Sequence, residues 1–330
     1  MVTRKAGAAL AAGCTVVCKV AAETPFTALA LAKLAEEAGF PKGVFNVITA
    51  STEGTPAIGK VLTTYPKIRK VSFTGSTRVG KLLMEQSAST LKKLSLELGG
   101  NAPFIVFNDA DLDAAVTGAI ACKFRGSGQT CVCANRFFIH TKVYDDFVSR
   151  LTEAVQTTFR VGNGFEKSTT HGPVIHAGSV ARLDEWVSEA ESKGARIVGG
   201  GKMEGPGSFY RPTLITEATQ DMTIAREELF GPVAVIFSFN SEADLVEMVN
   251  LVNVGLAGYI WSTDTRRIQR VGEKLELGMI GVNTPIVADP ASPFGGIKES
   301  GFGLEGSKYG VEEYLVLKTM TYAKAGWNEY

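Results

Sequence analysis

Two residues able to do covalent carbonyl chemistry lie 34 positions apart in this 330-residue chain, Glu97 and Cys131. Glu97 stands in Leu96-Glu97-Leu98-Gly99-Gly100, and Cys131 in Gly128-Gln129-Thr130-Cys131-Val132-Cys133. A cysteine in a glycine-flanked loop is a candidate nucleophile. Its thiolate adds to a carbonyl carbon near neutral pH and leaves a thioester that water can later attack. A carboxylate on the end of a strand is a candidate base for that water. Residue type alone compels neither role. Most free cysteines are buried small hydrophobes, which is the reading of Cys14, Cys18 and Cys122. A glutamate on the polar face of a strand is usually a solvated charge.

The elements that hold this pair follow from periodicity. A helix is expected over residues 5–12, a turn at Gly13 and a strand over 15–20. Thr24-Pro25 supplies a cap and a first-turn proline for a helix over 26–38, ended by Gly39 and Pro41. Strands at 44–48 and 70–73 alternate with helices at 55–62 and from the Gly75–Gly80 loop to Ser87. The alternation Leu94-Ser95-Leu96-Glu97-Leu98 places leucines on one face and Ser95 and Glu97 on the other. Strand and helix alternating in this way predict a parallel sheet with helices on both faces. Gly99-Gly100 is the expected boundary, giving units 1–99, 100–300 and 301–330. The second unit opens with a strand at 104–107 and a helix at 112–124. A strand at 136–140 and a helix at 143–159 follow the cysteine loop, then strands at 233–239, 258–262 and 279–282. A glycine-rich surface turn is expected over 199–207, and a terminal strand over 314–322.

Composition narrows the class. A chain of 330 residues exceeds the ~250–300 residues one core usually supports, so more than one domain is expected. The 34 basic and 34 acidic residues cancel, and no basic stripe marks a nucleic-acid binder. No apolar run reaches membrane-spanning length. Five cysteines argue against a disulfide framework. Neither the cysteine spacings nor His140, His171 and His176 form a metal-ligand pattern. Arg4-Lys5 and the apolar stretch after it imitate a secretory or lipoprotein signal. The helix, turn and strand reading is preferred, because the next forty residues continue the same alternation.

Together these motifs resemble the aldehyde dehydrogenase superfamily over essentially the whole chain. Lys19 with Thr24-Pro25, Phe73-Thr74-Gly75-Ser76-Thr77, Glu227-Glu228-Leu229-Phe230-Gly231-Pro232 and Pro293-Phe294-Gly295-Gly296 add signatures in family order. Within it, Thr3-Arg4-Lys5, the run from Asn101 to Phe107, Phe124-Arg125 and Gly306-Ser307-Lys308-Tyr309-Gly310 are similar to succinate-semialdehyde dehydrogenases. The resemblance implies an α/β fold with a Rossmann-type parallel-sheet cofactor domain, an α/β catalytic domain and a C-terminal oligomerisation strand. It implies oxidation of an aldehyde to an acid through a thiohemiacetal and thioester on Cys131, with Glu97 as general base. Relatives that pass the acyl group to coenzyme A typically lack that carboxylate, so a free-acid product is expected.

The resemblance assigns the remaining roles. Gly75, Ser76 and Gly80 belong to a loop and helix N-terminus beside the dinucleotide, replacing a G-x-G-x-x-G. Lys19 reaches the adenosine ribose, Glu228 holds the nicotinamide ribose, and Phe230 packs beside it. Where many NAD-preferring relatives carry a ribose-binding glutamate this chain has Ala22, with Glu23 displaced by one. Losing that carboxylate removes a repulsion against a 2′-phosphate, so NADP as well as NAD is expected. Arg4 and Arg125 match the pair that clamps the distal carboxylate of succinate semialdehyde. Cys133 is either a reversible disulfide partner of the nucleophile or a packing residue. One departure bears on substrate: a serine usual before Pro-Phe-Gly-Gly appears here as Ala288 beside Asp289. An aspartate facing inward would oppose an anionic substrate.

Full-length relatives carry about a third of their chain before the point matching Met1, so an N-terminally incomplete cofactor domain is expected. The missing part would include its first βα units, a strand of the oligomerisation arm and an oxyanion-binding asparagine. Cys131 N–H remains as a donor, but one lost donor typically costs about 10²–10³ in rate. An unpaired sheet edge is the other expected consequence. Two readings stay open: a dehydrogenase, homo-oligomeric when complete and cytoplasmic or mitochondrial, or an inactive form acting as a binding or interfering subunit.

Overall fold

The computed structural model describes residues 1–205 and 207–323. Pro206 of the expected glycine-rich turn and positions 324–330 of the expected C-terminal arm lie outside them. Helix α1 (Val2–Ala11) leads through the Gly13 turn into β1 (Val16–Lys19). Helix α2 (Pro25–Glu37) starts with Pro25 at its first position and returns the chain to β2 (Phe45–Ile48). The two strands pair in parallel, with Val16 opposite Phe45 and Lys19 opposite Ile48. Helix α3 (Thr55–Thr64) leads to β3 (Lys70–Thr74). Helix α4 (Thr77–Ser87), capped by the Ser76 hydroxyl accepting from Val79 N, leads to β4 (Lys93–Glu97).

The N-terminal strands do not make one sheet. β1 and β2 form a two-stranded sheet, while β3 and β4 form a second with an antiparallel return strand, Gly301–Phe302. Among the described residues, β1 and β3 are therefore each paired along one edge only. Lys5 of α1 spans both pieces: its ammonium donates to Thr74 Oγ1 at 2.6 Å, and its charge acts on Cys18.

Beyond Gly99-Gly100 a seven-stranded sheet forms the larger core. It contains β5 (Ala102–Val106), β6 (Ala134–His140), β7 (Arg196–Val198), β10 (Thr213–Thr216), β11 (Val233–Phe239), β13 (Ala257–Trp261) and β14 (Met279–Val282). A small hairpin, β8 (Gly201–Lys202) and β9 (Tyr210–Arg211), interrupts the series. So does β12 (Val254–Gly255), which pairs with β15 (Ile297–Lys298), just before the return strand β16. The order is β14-β13-β5-β6-β11-β10-β7, parallel except for β7 against β10.

Central strands are buried on both faces, as a helix-covered parallel sheet requires. Phe137 and Phe138, adjacent on β6, consequently face opposite cores. Helices α5 (Leu112–Phe124) and α6 (Tyr144–Thr158) cover one face. The other is covered by α7 (Ala177–Ser192), α8 (Glu242–Asn250) and α9 (Thr265–Gly272). These three are absent from the strand-and-helix pattern expected from periodicity, although Val180, Leu183, Val187 and Ala190 mark a buried stripe on α7.

Two expectations change. The terminal strand over 314–322 does not form: after α10 (Ser307–Glu312) the described residues carry no regular structure, with Val316 and Leu317 exposed. On β4 the supposed polar face is as buried as the leucine face, because Ser95 and Glu97 are enclosed like Leu96 and Leu98.

Candidate active site

The Cys131 loop is built from the end of α5. Gly126, Ser127 and Gly128 all take positive φ (61°, 55° and 71°), turning the chain sharply before Cys131. Ser127 is strained in this region, and its hydroxyl is held by donating to Gly172 O at 3.3 Å. At Gly128 any Cβ would sit 2.1 Å from Gly231 O, so the loop packs backbone to backbone on the 227–232 segment. A tight turn then closes with Cys133 N donating to Thr130 O at 2.9 Å. Gly100 lets the chain just past β4 approach equally closely, since a Cβ there would lie 2.5 Å from Cys131 O.

Glu97 ends β4 at 3% exposure with neither carboxylate oxygen hydrogen-bonded. Burial, and then the neighbouring Glu305 carboxylate, push it up to about 8, with Lys5 and Arg4 pulling the other way. Lys5 is ion-paired to the buried Glu305. Glu97 therefore faces a buried pair of opposite charges. The Cys131 thiol is pushed up to about 12, first by burial, then by the charges of Glu228 and Glu97. Its own backbone N–H lies against the sulfur and favours the thiolate. The arrangement brings the two carboxylates and the thiol into one field, although they come from three distant segments.

Glu228 is half-buried, and its Oε1 accepts from Gly100 N at 3.1 Å. Burial raises it to about 7 against that hydrogen bond and the Lys123 charge. Lys123 is fully buried, donating to Asn135 Oδ1 at 2.7 Å and Leu229 O at 3.3 Å. Phe230 is exposed beside this segment. Gly75 N donates to Glu97 O at 3.1 Å, so the loop expected at a dinucleotide is tied directly to the β4 end. Ser76 caps α4, its hydroxyl accepting from Val79 N at 3.4 Å. Lys19 is half-buried at the end of β1. Gly80 lies inside α4 rather than in the loop, where a Cβ would collide with Leu98 at 2.5 Å. Its place in this structure is close helix-to-strand packing.

The two arginines differ in setting. Arg4 stacks its guanidinium 4.3 Å over Phe294, which packs in the cluster that includes Cys131 and Val132. It also approaches Glu305 at 3.9 Å. Arg125 is exposed, makes no ion pair among the described residues, and lines a cavity of about 60 Å³ with Thr130, Val132, Cys133 and Tyr259. Cys133 is buried in the wall of that cavity. Asp289 is exposed and its Oδ1 accepts from Ala291 N at 2.8 Å, so it caps a turn rather than facing inward.

Motif reading overlooks Lys5, Glu305 and Lys123. Lys123 had a visible signal, a lysine in the otherwise apolar end of α5. Lys5 and Glu305 carried none, because their pairing spans almost the whole chain.

The model of the aldehyde dehydrogenase family matches residues 1–320. The NADP(+) succinate-semialdehyde dehydrogenase 1 of Schizosaccharomyces pombe is 58% identical over 324 residues, covering 97% of this chain and 64% of that protein. The mitochondrial succinate-semialdehyde dehydrogenase of Homo sapiens is 51% identical, over 98% of this chain and 60% of its own length. A crystal structure of succinate-semialdehyde dehydrogenase from Burkholderia pseudomallei superimposes with a TM-score of 0.93 at 53% identity, covering 96% of this chain and 65% of that one. The chain thus spans less than two thirds of the length of these relatives. With the family model matched over residues 1–320 and a relative 58% identical over 97% of this chain, the chain belongs to the aldehyde dehydrogenase family.

Proposed function

We propose that this chain carries the catalytic half-reactions of an NADP- or NAD-dependent oxidation of succinate semialdehyde to succinate. The observation that carries the reading is the placement of Glu97, unpartnered and buried, in the same electrostatic field as the Cys131 thiol. The relatives named above, described as succinate-semialdehyde dehydrogenases, support the substrate class.

Cys131 sulfur adds to the aldehyde carbon, its proton leaving to a neighbouring carboxylate. The Cys131 N–H, already beside the sulfur, is the chain's own donor to the oxyanion. A nicotinamide dinucleotide, when bound, would supply the hydride acceptor. Glu228 fits the cofactor's ribose, because Gly100 N holds one of its oxygens and the other takes no hydrogen bond among the described residues. Loss of hydride leaves a thioester on Cys131. Glu97 then takes a proton from water, which attacks the thioester and frees the acid and the thiol. Its raised affinity for protons suits a base that must pick one up near neutral pH. Arg125, exposed in the wall of the cavity beside the turn, is placed to meet the distal carboxylate, and Arg4 supports the Phe294 wall.

The exposed apolar side chains of Val316, Leu317 and Met320 support an oligomer. The animal relatives are named mitochondrial, which supports a mitochondrial setting as one of the two, mitochondrial or cytoplasmic, proposed for this chain. Among the described residues, no helix is long and apolar enough to cross a membrane.

The test is NADPH formation by the purified chain with succinate semialdehyde, against Cys131→Ala. Turnover lost in the variant is expected. Equal signals from both chains, or none from the parent, would refute the reading.

A further inference from the structure

The geometry points to Tyr259 as the positioning residue of the nucleophile turn, a role that rests on Cys131 being the nucleophile. Tyr259 lies in the middle of β13, buried, paired in register with Phe104 on β5 and Gly281 on β14. Its ring sits 6.1 Å from that of Phe104, so the side chain rises from a packed aromatic part of the sheet. From there the hydroxyl donates to Val132 O at 2.7 Å. That carbonyl belongs to the residue after Cys131.

The turn's other hydrogen bond is made by backbone, and its side chains pack against the Phe294 cluster. Cys133 N closes it on Thr130 O, and Gly100 presses on Cys131 O. The Tyr259 bond is the one side-chain hydrogen bond to residues 130–133 among the described residues. A buried phenol needs a partner, and a buried carbonyl needs a donor, so the bond satisfies both groups at once. The Cys122 thiol touches the same hydroxyl from α5, so the oxygen is enclosed and cannot turn to water.

Tyr259 also lines the small cavity with Arg125, Thr130 and Cys133. The wall expected to receive the aldehyde and the turn that carries the sulfur are therefore joined through one oxygen atom. Correct attack needs the sulfur placed closely, and a misplacement of about 1 Å can cost about 10²-fold in rate. Phenylalanine at this position keeps the ring, and so the cavity wall, while removing only the bond.

The test uses the whole chain with Tyr259→Phe. The expected result is a fall in kcat of about tenfold or more, with KM for cofactor and semialdehyde within about twofold of the parent and little change in Tm. Iodoacetamide labelling, read peptide by peptide, should change in rate several-fold at Cys131 and not at Cys14 or Cys18. A Cys131 labelling rate or a kcat within about twofold of the parent overturns the proposal. So does a variant whose Tm drops while all cysteines label faster together, the mark of a core defect. A parent without Cys131-dependent turnover refutes the dehydrogenase reading instead, and labelling at Cys131 still decides the role of Tyr259.

Discussion

Replacing Glu97 by glutamine tests the central electrostatic claim without requiring turnover. In the folded chain this carboxyl is pushed from 4.5 to about 8, by burial first and Glu305 second. Each tenfold change in proton affinity is worth about 1.36 kcal/mol, so ionising Glu97 costs the folded state on the order of 5 kcal/mol relative to the unfolded chain. The sign follows from proton binding. The folded state holds the proton more tightly, so this stabilisation is fully present below pH 4.5 and is lost as pH rises through about 8. Glutamine cannot ionise and shows no such loss. Urea unfolding of parent and Glu97→Gln between pH 5 and pH 9 should therefore give a stability difference that shifts steadily in favour of the variant. The shift should total several kcal/mol and level off above pH 8 to 9. A difference that stays flat within about 1 kcal/mol, or moves the other way, would refute the placement of Glu97 in an unpartnered buried site. Kinetics give a second arm. With half-ionisation at about 8, roughly a tenth of Glu97 is charged at pH 7 and nine tenths at pH 9. Thioester hydrolysis in the parent should rise about ninefold over that range. Glu97→Gln should show no rise and should stall with an acyl group on Cys131, detectable by mass spectrometry.

Two further outcomes are expected. In the cofactor-free chain, a Cys131 thiol raised to about 12 should be alkylated at pH 8 about 10³-fold more slowly than an ordinary thiol, and Glu228→Gln should speed it. Labelling at the rate of a free cysteine would contradict the field assigned to Glu228 and Glu97. Arg125→Leu should raise KM for succinate semialdehyde about 10–100-fold while leaving an uncharged aldehyde of similar length unaffected; equal losses for both substrates would remove Arg125 from carboxylate recognition.

Much of the framework is legible in the sequence. Pro25 and Gly39 bound a helix to within a residue or two, and β11 and β14 match their expected limits. These signals are local: caps, glycine stops and runs of β-branched residues act on their own neighbours. The terminal strand fails for the complementary reason. Apolar alternation over 314–322 predicts a strand, but a strand exists only where another edge accepts its hydrogen bonds, and these residues find none among those described. The polar face of β4 fails similarly. Alternation separates two faces but cannot tell that Gly303, just after β16, and the Gly295 loop close over the second one.

The same division runs through the site. Sequence alone determined which groups are on offer, because the Leu-Glu-Leu-Gly-Gly and Gly-Gln-Thr-Cys contexts are contiguous and supply a carboxylate and a thiol as candidates for base and nucleophile. It also determined the glycines that make close approach possible at Gly100 and Gly128. The proton affinities of Glu97, Glu228 and Cys131 were decided only in three dimensions. Desolvation and Coulomb forces add over whatever groups the fold encloses together, whatever their separation along the chain. Glu305 and Lys5 act on Glu97 from opposite ends of the chain, Gly100 reaches Glu228 across 128 positions, and Asp289 turns outward to cap its own loop. No spacing encodes those sums, because each depends on which surfaces lost their water when the sheets closed over the site.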